Sequence, residues 1–78
     1  MSRILLLGPA REAAGVREDV IDAPNVAEVL EIAVLRYGRA FSEVLAVSKV
    51  WVNGEASTLE RAVGPHDEVV VLPPISGG

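Results

Sequence analysis

The residues with the clearest chemical use are Gly77 and Gly78 at the end of the sequence. Neither carries a side chain, so a narrow channel could close around their bare backbone and leave the terminal carboxylate of Gly78 unhindered. That carboxylate is ionised at pH 7, because its reference pKa is about 3.3–3.7, and it is a potential nucleophile towards ATP. The plainer alternative is a frayed terminus, which is how most chain ends behave. We interpret the stretch as a functional C-terminus.

Two prolines, Pro73 and Pro74, separate this end from an apolar run. Proline lacks a backbone N–H donor and fixes φ, so the preceding strand cannot continue and the chain leaves it extended. The last four residues then span at most about 13–14 Å when stretched, which is far enough to enter a pocket on a neighbour. The pattern predicts a folded domain over residues 1–72 and an extended, flexible tail over residues 73–78.

Side chains elsewhere offer little chemistry. His66 stands next to Asp67, but no motif places a serine nucleophile with them, and the pair is more typical of a turn into a strand. Neighbouring acids such as Glu18 and Asp19 point to opposite faces of a strand, which indicates solvated charges rather than a metal site or a glycosidase pair. The sequence has no cysteine, which excludes a thiolate nucleophile, a persulfide on this chain and a thiolate metal site. No bound metal or cofactor is expected.

Composition and charge narrow the class of protein. Seventy-eight residues make one small domain with a thin core, which must be mostly aliphatic because only 4% of the residues are aromatic. The net charge of −4 argues against a nucleic-acid binder, which needs a basic face, and suits basic protein partners. The apolar runs are far shorter than the roughly 18 residues of a membrane span. We therefore expect a soluble cytoplasmic protein with no membrane or nucleic-acid partner.

Two apolar strands frame the predicted domain. Residues 4–7 form a short apolar run that ends at Gly8-Pro9 and is typical of a strand buried on both faces, and residues 67–72 give the last strand. A hairpin loop over residues 9–15 and a more polar edge strand over residues 16–23 are predicted to follow the first strand.

One main helix is predicted to run from Asn25 to Tyr37. Asn25 is a good N-cap, and Glu28 can reach back to it as in a capping box. The predicted core stripe consists of Val26, Leu30, Ala33, Val34 and Tyr37. Ile32 and Leu35 fall on the outer side, where they either pack under the next segment or mark a contact patch.

After this helix, the sequence predicts the secondary structure of some segments clearly and leaves two alternatives for others. Residues 39–48 fit a second short helix or an irregular turn, and residues 59–63 fit a brief helical or looping crossover. Between them, residues 49–53 alternate as a strand, Asn53-Gly54 is a strong type I′ turn signal, and residues 55–57 form the return arm.

This order of elements predicts an α+β fold, a mixed sheet of four or five strands with one main helix packed on one face. We predict a β-grasp, or ubiquitin-like, fold with the first and last strands parallel in the middle. Both strands are apolar at successive positions, Leu5 with Leu6 and Val70 with Val71, so the second face of the sheet also carries aliphatic side chains. Part of that face should stay open in so small a domain, and exposed apolar patches tend to be partner sites.

Three motifs resemble the MoaD family, the small sulfur-carrier subunits of molybdopterin synthase among the MoaD/ThiS-like ubiquitin-related proteins. Residues 72–78, Leu-Pro-Pro-Ile-Ser-Gly-Gly, are similar to the family's ending, whereas other carriers of this fold usually share only the final Gly-Gly. Residues 11–15, Arg-Glu-Ala-Ala-Gly, are similar to its R-E-x-x-G loop, and residues 52–55, Val-Asn-Gly-Glu, to its central hairpin. The first strand ends with Leu7-Gly8, where the family commonly has an aromatic residue followed by alanine.

The resemblance implies a function for the tail. In this family an activating adenylyltransferase, similar to the enzymes that activate ubiquitin, uses ATP to adenylate the terminal glycine, and a sulfur donor converts the acyl-adenylate to a thiocarboxylate. The tail then inserts into the large catalytic subunit of molybdopterin synthase, expected as a heterotetramer, where sulfur passes to cyclic pyranopterin monophosphate to build the dithiolene of molybdopterin. The chain itself would be a non-catalytic carrier.

The resemblance and the residue pattern together predict the site. Gly78 is the reacting residue, as adenylate and thiocarboxylate, and Gly77 supplies steric clearance. Arg11 is expected to contact an acidic surface of a partner. The other predicted binding residues form the rigid exit and the inserted tail: Pro73, Pro74, Ile75 and Ser76.

Other functions remain open at this point. A sulfur carrier for thiazole or cysteine synthesis would share the fold and the Gly-Gly carboxylate, although the two prolines favour the molybdopterin assignment. A ubiquitin-like modifier would join Gly78 to target lysines, and Lys49 is the only lysine, which limits chains built on itself. A plain interaction domain with an inert tail would be unaffected by deletion of the two glycines.

Overall fold

The computed structural model describes residues 1–74. In that range the chain forms, in order, β1 (Ser2–Leu6), α1 (Pro9–Ala14), β2 (Glu18–Ile21), α2 (Val26–Tyr37), α3 (Arg39–Leu45), β3 (Lys49–Val52), β4 (Glu55–Ala56) and β5 (Glu68–Leu72). The strands and the main helix follow the predicted order.

The strands of residues 1–74 make one mixed sheet in the order β2-β1-β5-β3-β4. β1 and β5 run parallel, with Ile4 opposite Val69 and Leu6 opposite Val71, whereas the other neighbours pair antiparallel. The prediction that the first and last strands lie together in the middle is confirmed. β2 is an edge strand as predicted, although it is shorter than residues 16–23.

The core lies between the sheet and the helices, on one face of the sheet. Side chains alternate along a strand, so every second residue of β1 and β5 points toward the helices. These residues are fully buried: Ile4, Leu6, Val69 and Val71. Phe41 of α3 and Val29 of α2 are also fully buried, and each such side chain contributes roughly 1.5–3 kcal/mol by leaving water.

Helix α2 begins and ends at the predicted residues. The Asn25 side chain accepts a 2.9 Å hydrogen bond from the backbone N–H of Glu28, and its amide donates to the Glu28 carboxylate at 2.9 Å. The second bond differs from a capping box. In a capping box the carboxylate accepts from the backbone N–H of the N-cap residue, whereas here it accepts from the Asn25 side chain. Gly38 ends the helix with φ 95°, a backbone conformation that favours glycine.

The buried stripe of α2 is shifted from the predicted one. Val34 and Tyr37 are only partly buried, whereas Val29, which the predicted stripe omits, is fully buried. The two outer residues differ from each other, because Ile32 packs partly against the core and Leu35 is 86% exposed. The helix therefore presents one large apolar side chain to solvent.

The predicted hairpin loop over residues 9–15 is wrong, because most of this segment forms helix α1. Proline is favoured in the first helical turn, where its missing N–H needs no partner, and Pro9 occupies that place. Ala10 is buried against the core, which draws the segment onto the sheet. Gly15 ends the helix at φ 78°, a backbone conformation that favours glycine.

The segments on either side of the β3–β4 hairpin each adopt one of the two structures predicted for them. Residues 39–48 contain the short helix α3, one of the two predicted alternatives, and residues 59–63 form a looping crossover. The turn between β3 and β4 is confirmed, since Asn53 and Gly54 both have positive φ, 52° and 85°, as a type I′ turn requires.

Candidate functional site

The predicted exit of the tail lies at the end of the central strand. β5 ends at Leu72 between β1 and β3, and the Leu7 N–H donates to the Val71 carbonyl at 3.0 Å beside it. Pro73 and Pro74 follow and are exposed, and neither has an N–H that could extend the ladder. Four predicted site residues lie outside the described range: Ile75, Ser76, Gly77 and Gly78.

The face of the sheet opposite the helices carries a row of apolar side chains. Leu5, Val70 and Trp51 lie side by side on three adjacent strands, because Leu5 is opposite Val70 and Val70 is opposite Trp51. All three are only half-buried, and the helices of residues 1–74 pack on the other face. We call this surface the open face. Within residues 1–74, the prediction that part of the second face stays uncovered is confirmed.

Charged side chains border the open face at β1. The Arg3 guanidinium donates to the Glu18 carboxylate at 3.1 Å and lies 3.9 Å from the Glu68 carboxylate. These side chains are 39–57% exposed, so the pairs add little to stability. An apolar centre with a charged border is, however, the usual composition of a protein interface.

Arg11, the predicted contact to a partner, lies in α1 with its side chain exposed. Together with Arg17 it lines a shallow depression of about 250 Å³. The two guanidinium groups outnumber the one carboxylate there, that of Glu12. This balance suits an acidic partner surface, because arginine can bind a carboxylate through two parallel hydrogen bonds. The contact itself stays a prediction.

Comparison with known proteins decides the family. A model of the ThiS family matches residues 4–78 of this chain. The chain belongs to the ThiS family. It is 32% identical to the molybdopterin synthase sulfur carrier subunit of Arabidopsis thaliana, over 97% of this chain and 81% of that protein. These matches confirm the resemblance to the MoaD and ThiS type of ubiquitin-related protein.

Solved structures of similar proteins confirm the ubiquitin-like β-grasp fold. SAMP1 from Haloferax volcanii, a small archaeal modifier protein, superposes with a TM-score of 0.83 at 30% identity, over 99% of this chain and 98% of that one. The complex of subunits 1 and 2 of molybdopterin-converting factor from Helicobacter pylori gives a TM-score of 0.73 at 23% identity, over 99% and 97%. The second likeness shows the fold alone.

Asp67 in this ThiS-family chain supports a turn and does not orient a catalytic base. Its carboxylate accepts hydrogen bonds from the Asn53 side-chain amide and the Gly64 N–H, both at 2.8 Å. These bonds, the Asn53 bond first, lower the pKa of Asp67. His66 is exposed, so the interpretation of this pair as the turn into the last strand is confirmed. Within residues 1–74, no three histidine, aspartate or glutamate side chains form a group that could hold a metal ion.

A second apolar surface lies on the helical side of the molecule. A groove of about 750 Å³ separates α2 from the segment around β3, and its walls include Leu30, Val34, Leu45 and Val50. Leu35 and Leu59 stand at this groove and are 86% and 54% exposed. None of the helices within residues 1–74 has the length and apolar character needed to cross a membrane.

Proposed function

We propose that this protein is the sulfur carrier of molybdopterin synthesis and that Gly78 is its reacting residue. On an activating adenylyltransferase, an oxygen of the Gly78 carboxylate attacks the α-phosphorus of ATP, and pyrophosphate leaves. A sulfur nucleophile such as hydrosulfide then attacks the acyl carbon, AMP leaves, and the terminus becomes a thiocarboxylate. Adenylation is required because a carboxylate is a poor electrophile until one of its oxygens becomes part of a good leaving group.

The proposed recipient is the large catalytic subunit of molybdopterin synthase. There the thiocarboxylate sulfur attacks a carbon of cyclic pyranopterin monophosphate and displaces the oxygen substituent of that carbon, which leaves as a phosphate-ester oxygen or as water. Water then cleaves the acyl carbon–sulfur bond, so that the sulfur stays on the pterin and Gly78 returns as a carboxylate. The catalytic side chains belong to that subunit, and this chain binds no cofactor. The proposal includes a cytoplasmic setting and a heterotetramer with two copies of each subunit.

The main support for the proposal is the position of the tail. It starts at the end of β5, the middle one of the three strands that form the open face. Val70 occupies the middle of the apolar row, and Pro73 follows directly after this strand ends at Leu72. One partner can therefore cover the apolar row and receive the tail in the same encounter. The pathway rests on the 32% identity to the Arabidopsis molybdopterin synthase subunit.

Intact mass spectrometry tests the loading step. The protein is incubated with an adenylyltransferase of the ubiquitin-activating type, ATP and hydrosulfide, and is then treated with a thiol-reactive alkylating agent. Because the sequence has no cysteine, a readily alkylated product on the C-terminal peptide identifies a thiocarboxylate. The alkylation also excludes oxidation of Met1 or Trp51, which mimics the mass change of one oxygen replaced by sulfur.

Two controls make the loading assay decisive. A variant that lacks Gly78 should give no alkylated product, and a known carrier should react under the same conditions. Adding the large subunit and cyclic pyranopterin monophosphate to the loaded protein should then yield molybdopterin. If the known carrier loads while this protein stays unmodified with several activating enzymes, the carrier proposal is wrong.

A ubiquitin-like modifier is the second candidate, favoured by the 30% identity to the archaeal modifier protein SAMP1. In this case a target lysine amine attacks the activated Gly78 acyl group, AMP or an enzyme thiol leaves, and an isopeptide bond forms. A search of cell lysate for lysine residues linked to Gly78 separates the two functions, since a pure sulfur carrier leaves no such adduct.

A further inference from the structure

The turn between β1 and α1 has a backbone conformation that requires glycine. Gly8 has φ 57° and ψ −128°, which lies outside the regions that residues with side chains normally adopt. The turn is held from both sides, because the Leu7 N–H donates to the Val71 carbonyl at 3.0 Å and the Gly8 carbonyl accepts from the Glu12 N–H at 3.1 Å. Gly8 is therefore fixed relative to both the central strand and α1.

The first residue of the tail lies against this glycine. A Cβ atom built on Gly8 would be 3.6 Å from both Cγ and Cδ of Pro73, the distance of ordinary van der Waals contact. The proline ring thus lies over a turn that presents bare backbone, beside the start of α1. The exit of the tail therefore adjoins the segment that carries Arg11.

We propose that Gly8 is a positioning residue that sets the direction in which the tail leaves the domain. This inference rests on the proposed function of the tail. Pro73 and Pro74 have fixed φ angles, so a Pro73 ring held beside Gly8 restricts the directions that the chain can take beyond it. When an activating enzyme binds the tail, a tail with a set direction loses less conformational entropy than a tail whose direction is free.

A glycine at the other end of the same helix, in the left-handed region rather than the conformation of Gly8, provides a control that also has a positive φ. Gly15 has φ 78°, and a Cβ atom built on it would meet nothing within 4 Å. Gly8→Ala and Gly15→Ala therefore both place a side chain at a positive φ beside α1. Only Gly8→Ala disturbs the surface under Pro73, since alanine favours a negative φ and moves the turn away from the ring.

The first test compares the steady-state kinetics of thiocarboxylate formation for the wild type and both variants, at a temperature where each is folded. We expect Gly8→Ala to raise KM for the carrier about fivefold with little change in kcat, because the tail is no longer preordered for binding. Gly15→Ala should match the wild type. Equal kinetic effects of the two variants would overturn the proposal. If Gly8→Ala does not fold, Pro73→Ala removes the ring beside Gly8 with the turn intact. Its effect is read from the nitroxide broadening described next rather than from KM, because Pro73 is itself a predicted binding residue.

The second test needs no enzyme, so it separates this inference from the proposed function. The wild type should show a nuclear Overhauser effect between the Gly8 Hα and Pro73 Hδ protons. A nitroxide on Glu12→Cys, possible because the chain has no other cysteine, should broaden the Gly77 and Gly78 amide signals to a different extent in Gly8→Ala but not in Gly15→Ala. An absent Overhauser effect or unchanged broadening refutes the positioning role, whereas failure of the wild type to load refutes only the proposed function.

Discussion

The hydroxyl of Tyr37, at the end of α2, donates a 2.6 Å hydrogen bond to the carboxylate of Asp19 in the edge strand β2. Arg36 donates to the same carboxylate at 2.9 Å and to the Val20 carbonyl at 3.1 Å. These bonds, the Tyr37 bond first, lower the pKa of Asp19 to about 2, and burial followed by the bond to Asp19 raises the pKa of Tyr37 to about 12. The cluster ties the edge of the sheet to the end of the main helix.

Replacing Tyr37 with phenylalanine tests how much the hydrogen bond between Tyr37 and Asp19 stabilises the fold. Tyr37→Phe keeps the ring that packs edge-on against Phe41 at a centroid distance of 5.2 Å and removes only the hydroxyl. We expect a loss of about 1 kcal/mol in the free energy of unfolding, and the pKa of Asp19 should move up toward its ordinary value. Urea unfolding and carboxyl NMR titration measure the two effects. A variant with an unchanged Asp19 pKa would show that the hydroxyl does not contribute.

The lowered pKa of Asp19 also predicts how stability depends on pH. The unfolded chain binds this proton near pH 3.8 and the folded protein near pH 2, so the contribution is complete above pH 3.8 and is lost as the pH falls toward 2. The full shift amounts to roughly 2 kcal/mol, which solvent screening of a carboxylate that is 32% exposed reduces to about 1 kcal/mol. Urea unfolding between pH 2 and 5 measures it, and Asp19→Asn should flatten this part of the curve. An equal acid loss in Asp19→Asn would assign the effect to other carboxylates.

The features of the fold that could be predicted are those whose signal lies within a few consecutive residues. The apolar runs at residues 4–7 and 67–72 predict the two central strands. Asn25 marks the start of α2, and Asn53-Gly54 marks the hairpin turn. In each case a short pattern of apolar, capping or turn residues fixes the local backbone with little help from the rest of the chain.

The features that could not be predicted depend on tertiary contacts or on competing local signals. Asp19 and Tyr37 are 18 residues apart, and no pattern in the sequence pairs them. Gly8-Pro9 is typical of a break but also of a helix start, and the burial of Ala10 decides between them. In the candidate site, Trp51 joins the apolar row only because β3 pairs with β5, a neighbour relationship that the sequence of either strand alone does not reveal.

Asn53 should stabilise the hairpin turn through both its backbone and its side chain. Its φ is 52°, its amide donates to Asp67 at 2.8 Å, and its side-chain oxygen accepts from the Glu68 N–H at 2.9 Å. Asn53→Gly keeps the backbone freedom but loses both side-chain bonds, whereas Asn53→Ala loses the bonds and adds strain of about 1 kcal/mol. Urea unfolding should rank the wild type above Asn53→Gly and that variant above Asn53→Ala. Equal stability of the two variants would show that the positive φ contributes nothing.

The open face should bind the large subunit through its apolar row, and a single charge at its centre tests this. Val70→Lys places an ammonium group between Leu5 and Trp51, while the lysine stem still covers part of the sheet, so the change in unfolding free energy should stay near 1 kcal/mol. Desolvating that charge in the complex should weaken binding at least about tenfold. Trp51 is the only tryptophan, so its fluorescence can report on binding at the row itself.

Leu35→Lys is the matched control for this charge, because Leu35 is 86% exposed on the helical side of the molecule. Leu35→Lys introduces the same side chain and gives the protein the same net charge as Val70→Lys, but it leaves the open face unchanged. Binding of the large subunit should therefore be unchanged. Equal weakening by the two variants would mean that binding responds to net charge rather than to the apolar row. If Val70→Lys binds as tightly as the wild type, the tail alone holds the complex. The apolar row would then stay in contact with water while the large subunit binds the tail.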